Sequence, residues 1–232
     1  MSYNSGGRIV SDGLVLYLDA ANSKSYVSGS STWFDLSGNN NSGSLNNTPT
    51  FSTDAKGSIL FDGTNESVSR ASINVSYLTI DVWAKWTQFF SDPFEHALVS
   101  NSESDTGLPI SGYMLYQATG APYNRVKAFV HGTSLTDLTS VSTLSTGVWY
   151  NVTFTYDGSA TRLYLNGSID TGSNAAVGTI AASPANFIIG RAYNIYSSLF
   201  NGNIASVKLY NRVLSATEIL NNYNVTKKRF GL

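Results

Sequence analysis

From residue 77 to residue 86 apolar and polar side chains alternate without a break. Leu78, Ile80, Val82, Ala84 and Trp86 share one face of an extended chain; Tyr77, Thr79, Asp81, Trp83 and Lys85 share the other. A second run repeats the pattern. Val148, Tyr150, Val152, Phe154 and Tyr156 point one way, and Trp149, Asn151, Thr153 and Thr155 the other. Each run predicts a strand with one buried face. Asp157-Gly158 then turns the chain, because glycine accepts a positive φ without a Cβ clash. Leu163 and Leu165 continue the apolar face, and Asn166-Gly167 closes a hairpin.

The rest of the chain reads in the same way. Leu14 to Leu18 is apolar on both faces and predicts a strand buried within the fold. Further strands are expected near 43–45, from Ile59 to Asp62-Gly63, and over 112–117, 125–131, 139–144, 186–190 and 203–210. Phe187, Ile188 and Ile189 in a row suit a strand buried on both sides. One helix is expected. Ser215 is its N-cap, Glu218 completes a capping box, and Leu214 and Ile219 sit at the staple positions; the helix should run to about Asn222. About a dozen short strands and one late helix give an all-β fold: an antiparallel β-sandwich of jelly-roll topology. No repeat of solenoid or propeller period occurs.

Several segments together resemble laminin-G-like, concanavalin-A-like domains. They are Gly13-Leu14-Val15-Leu16-Tyr17-Leu18-Asp19, Leu60-Phe61-Asp62-Gly63, the hairpin from Trp149 to Gly167, and Phe200 to Arg212. The resemblance spans about residues 13 to 224 and implies one domain, 13–226, between an N-terminal arm (1–12) and a basic C-terminal tail (227–232). Such sandwiches serve lectins, hydrolases, adhesion modules and virion parts, so fold alone does not select a function. The closing sequence Leu214 to Leu232 resembles the ends of laminin-G-like proteins in phage structural gene sets. That resemblance implies a non-enzymatic virion surface protein of a tailed phage, as a head decoration or a tail or fibre component, with other virion proteins and further copies of itself as partners.

Composition narrows the alternatives. The chain has 232 residues, one large β domain's worth. Only 12% are charged and the net charge is −1, which speaks against a nucleic-acid partner. Cysteine is absent, so disulfides and thiolate chemistry are excluded. No apolar run approaches the ~20 residues of a membrane span, and the first 25 residues hold no secretory pattern. A Ser-, Thr-, Asn- and Gly-rich surface without an export signal fits a virion assembled in the cytoplasm, or alternatively an extracellular protein.

Candidate chemistry is sparse. Glycoside hydrolysis needs two carboxylates across the scissile bond. The resembling glucanases place them as Glu-x-Asp-x-x-Glu, but Glu66, Glu95, Glu103 and Glu218 show no such spacing. His96 and His131 are too far apart in sequence to suggest a zinc site. No cofactor is expected. A structural calcium could draw on Asp35 with Asn39, or on Asp62, although turn chemistry accounts for the same residues.

Binding therefore falls to aromatics and the tail. Trp83, an aromatic on a nominally polar face, is either a platform for a sugar ring or a residue beneath a loop, a strand or the C-terminal helix. Phe89, Phe90 and Phe94 lie in a loop that Pro93 keeps out of a central strand; they either cap the sandwich edge or contact another chain. Tyr193, Tyr196 and Phe200 form a second aromatic loop. Lys227, Lys228 and Arg229 are either solvated or a docking peptide, and residues 1–12 either fray or dock onto a neighbour. These residues would contact protein partners or, in a carbohydrate-binding module, host surface glycans.

Overall fold

The computed structural model describes residues 7–105, 108–173, 178–192 and 199–232, the side chains of 104–105 and 108–110 excepted. Among them are sixteen strands and one α-helix. The first half carries β1 (Leu14–Asp19), β2 (Thr32–Trp33), β3 (Gly43–Asn46), β4 (Thr50–Ser52), β5 (Ser58–Asp62), β6 (Ser67–Arg70) and β7 (Leu78–Trp86). The middle carries β8 (Ala97–Asp105), β9 (Leu108–Gln117), β10 (Val126–His131), β11 (Leu135–Thr139) and β12 (Trp149–Tyr156). Then come β13 (Thr161–Leu165), β14 (Ser168–Ser173), β15 (Phe187–Ile189), β16 (Asn201–Tyr210) and α1 (Ala216–Thr226).

These strands make two antiparallel sheets. Sheet A runs β14-β13-β12-β7-β16-β5-β4, with β1 also on β16. Sheet B runs β11-β10-β9-β8-β15-β6-β3-β2. One edge of β16 is shared: Asn201–Ile204 pairs β5 and Ser206–Tyr210 pairs β1. A bulge at Ala205 makes this work. Ile204 and Val207 are three residues apart and would face opposite ways in a regular strand, yet both reach the core.

The core lies between the sheets. Ile80, Val82, Val152, Phe154, Leu163 and Val207 meet Leu98, Leu115, Val126, Ala128, Phe187 and Ile189. Each fully buried side chain of this kind contributes about 1.5–3 kcal/mol relative to exposure. The hairpin signal at Asn166-Gly167 is realised with φ values of 50° and 77°. Gly167 is required twice over, since a Cβ there would also stand 2.8 Å from Tyr223 of α1.

Four expectations change. The outward faces of β7 and β12 are buried too: Thr79, Asp81, Trp83, Asn151 and Thr153 lie beneath α1 and the chain end. β1 is fully buried on one face only, with Val15 and Tyr17 on the other face partly covered. The strand expected over 139–144 lies at 135–139 instead. The hydroxyl of Ser140 caps the ladder by accepting from Val126 N, and the amides of Val141 and Ser142 donate to the Asp170 carboxylate, not to a strand. The helix continues past Asn222 to Thr226, with its capping box and both staple residues in place.

Neither described chain end is free. Lys227–Phe230 forms a 3-10 turn that lays Phe230 on Trp83, ring centres 3.7 Å apart. The Arg229 guanidinium donates to the Asp19 carboxylate and to the carbonyls of Ala55 and Gly57. At the other end, Val10 N donates to Asn222 Oδ1, and Asn221 Nδ2 donates to the Arg8 carbonyl. The tail and the described part of the arm thus dock on their own domain. No helix among the described residues is long and apolar enough to cross a membrane.

Candidate functional site

The aromatic candidates divide sharply. Trp83 is fully buried between sheet A and the chain end, stacked on Phe230 and Tyr223, and its Nε1 donates to Thr226 Oγ1. It is a packing residue, not a sugar platform, because no face of the ring reaches solvent. Phe200 is corrected for the same reason: it is buried against Phe61 and Trp86. Tyr193 and Tyr196 lie outside the described residues.

The 89–96 loop links β7 of sheet A to β8 of sheet B. Phe89 packs on Trp86, and Phe90 stacks on His96 at 4.0 Å. Gln117 clamps the loop by accepting from Phe90 N and donating to its carbonyl. His96 bridges the Leu199 carbonyl and the Asp92 carboxylate. Phe89 and Phe90 thus cap the sandwich; Phe94 is 40% exposed. Of the three basic tail residues only Lys228 is exposed, since Lys227 lies over the Tyr223 ring and Arg229 is held as described.

Beside this loop the outer face of sheet B opens into a groove of about 340 Å³. Arg125, Lys127 and Thr139 form its floor, and the turn from Ala118 to Pro122 its wall. Register explains the floor. Lys127 lies opposite Tyr116 on one side and Thr139 on the other. Val126 and Ala128 face the core, so Lys127 faces out, and Arg125 two residues earlier shares its side. Sequence reasoning passed over these residues. The available signal was two cations at i and i+2 on a strand.

The charges in and beside the groove differ in their pairing. Lys127 Nζ sits 2.5 Å from the Asp137 carboxylate. Burial pushes the Glu95 carboxyl above its usual range, against the pull of Lys127 and His96. Arg125 Nε is buried and has no hydrogen-bond partner among the described residues. Among the described residues no carboxylate lines the groove. What the arrangement can do is bind, with hydroxyls from Thr119 and Thr139 and donors from two cations.

A second groove of about 380 Å³, near Val15 and Val75, is rich in asparagine. Three of its amides already serve the fold. Asn39 and Asn41 donate to the carbonyls of Leu14 and Val15, and Asn74 bonds Ser183 at both ends of its amide. The calcium candidate Asp35 is likewise occupied. Its carboxylate accepts from Tyr17 N, Ser37 N, Ser37 Oγ and Asn41 N. Among the described residues no group of three or more metal-ligating His, Asp or Glu side chains occurs.

The family model described as the concanavalin A-like lectin/glucanases superfamily matches residues 61–220. The chain belongs to that superfamily. No curated protein matches this lectin-like chain in sequence. Solved structures do match its fold. Domain 4 of AbnA, a GH43 extracellular arabinanase from Geobacillus stearothermophilus in complex with arabinotriose, is 15% identical with a TM-score of 0.69, over 92% of this chain and 98% of that one. The binding domain of Paraclostridial Mosquitocidal Protein 1 is 17% identical with a TM-score of 0.67, over 92% of this chain and 52% of its own. The ligand binding domain of botulinum neurotoxin serotype D, in complex with N-acetylneuraminic acid, is 14% identical with a TM-score of 0.66, covering 93% and 51%. The chain therefore spans about half the length of the two toxin domains. These likenesses establish a lectin-like sandwich.

Proposed function

We propose that this sandwich is a non-catalytic carbohydrate-binding module whose site is the groove over Arg125, Lys127 and Thr139. The observation that carries the reading is the contrast within the groove: it is open and polar, with hydrogen-bonding side chains not consumed by the fold and no carboxylate pair to do hydrolysis. Sugar complexes of two structural neighbours, with arabinotriose and with N-acetylneuraminic acid, support the class of ligand. Screening of the full chain on a glycan array tests it, beside a Thr139→Trp variant that fills the groove. The reading expects retention of a defined glycan by the wild type and its loss in the variant. Retention of no glycan, or of the same glycan by both proteins, contradicts it.

The resemblance of residues 214–232 to the ends of phage structural proteins favours a second reading, in which the module is displayed on a tailed-phage particle with other virion proteins and further copies of itself around it. Phe94 and Lys228, the exposed ones among the aromatic-loop phenylalanines and the basic tail residues, are then the contact residues. The two readings are compatible, since a displayed lectin-like domain can hold host glycans. Electron microscopy of particles labelled with an antibody to the domain tests the second; label on free protein only would contradict it.

A further inference from the structure

Three arginines in this fold are held by carboxylates. Arg162 faces Asp157 at 3.2 Å. Arg212 reaches Glu218 at 2.6 Å and Asp12 at 2.8 Å. Arg229 reaches Asp19 together with two carbonyls. Arg125 is not held in this way. It has no carboxylate partner among the described residues, and its Nε is shielded from water without a hydrogen bond.

Two other arginines also carry unpartnered buried nitrogens, and position separates them from Arg125. Arg70 lines a closed apolar hole too tight for a water molecule, so no ligand can approach it there. Arg191 adjoins residues 193–198, which lie outside the described set. Arg125 alone of the three lines an open groove. A half-buried guanidinium without its acid is less well hydrated than a free one, and so is primed for an anionic partner. The terminal nitrogens of Arg125 are not enclosed and donate to no side chain or carbonyl among the described residues, so an oxyanion arriving in the groove would meet them.

We infer that the groove takes an acidic glycan, with a ring-borne carboxylate of a uronic or sialic acid on the Arg125 guanidinium. This rests on the carbohydrate-binding reading and sharpens it. The neighbouring cation does not compete for the role, since Lys127 is already paired with Asp137. A planar guanidinium suits a planar carboxylate, with two parallel donors for two oxygens, while Thr119 and Thr139 offer hydroxyls to the rest of the ring.

Calorimetry on the full chain tests this with two matched pairs: trigalacturonate against its methyl ester, and sialyllactose against lactose. The acidic member of at least one pair should bind about 10- to 100-fold more tightly than its neutral counterpart. Which pair responds separates a uronic from a sialic ligand. Arg125→Ala should erase the preference, and Arg125→Lys should restore only part of it, since the charge returns without the fork. If Arg125→Ala does not fold, the acid-versus-neutral comparison on the wild type still decides. Equal binding of acidic and neutral members, with both lost in Thr139→Trp, overturns the acidic class and leaves the carbohydrate reading standing. Binding of none of the four probes, by a chain that also retains nothing on the array, overturns both.

Discussion

On sheet A the outward side chains of β7, β12 and β16 are, Lys85 apart, nearly as buried as those that face the core, whereas the outer face of sheet B opens at β10 and β11. Beneath α1 every charge found has its partner. Lys208 meets Asp81 at 2.8 Å with both side chains about fully enclosed, and Asn151 and Thr153 complete that carboxylate. Lys85 pairs with Asp54, and Arg229 with Asp19. On sheet B the Arg125 guanidinium faces an open groove without an acid. One face is finished by its own chain, and the other leaves chemistry available. That difference separates residues that hold the fold from residues free to bind.

The largest way to break this contrast is on sheet A. Lys208→Met should cost about 3–5 kcal/mol in urea unfolding, because it strands the Asp81 carboxylate in a dry site. Adding Asp81→Leu should recover much of the loss. Phe230→Ala comes next, at about 2 kcal/mol, with a red shift in tryptophan fluorescence as Trp83 meets water. Ser215→Ala should cost about 1 kcal/mol through the lost N-cap.

A pH series sharpens the same point. The Arg212 guanidinium and the Ser215 cap hold the Glu218 carboxyl down to about 2 from its ordinary 4.5. A carboxyl lowered in the folded state contributes stability that is present above 4.5 and lost as pH falls from there toward 2. The melting temperature should therefore drop through that window, and less so in Glu218→Gln. The smallest effect belongs to sheet B: Arg125→Ala should change stability by no more than about 0.5 kcal/mol. A large loss there would make Arg125 structural and erase the comparison.

Much of the sandwich was legible because period-two alternation reports burial directly. The runs at 78–86 and 149–156, the Asn166-Gly167 hairpin and the Ser215 cap all stand where the pattern puts them. What alternation could not report was that the polar faces of those strands are also covered. Trp83 and Trp149 on those faces were the clue, since two tryptophans on one nominally wet surface need a lid, and the lid lies some 75 residues or more away, at Tyr223 and Phe230. Nor could local pattern place β11: Val141 and Leu144 look like a strand, but Val141 is 65% exposed and its amide goes to Asp170. The groove was hidden for a related reason. Arg125, Lys127, Thr139 and Thr119 come from three separate segments, and only the β9-β10-β11 register brings them together.

Hydrogen exchange of the full chain with and without its best-retained oligosaccharide tests the central claim most directly. The account predicts new protection over 118–127 and around Thr139, with none over 216–230. Protection confined to α1 and the chain end, with the groove segments unchanged, would contradict it.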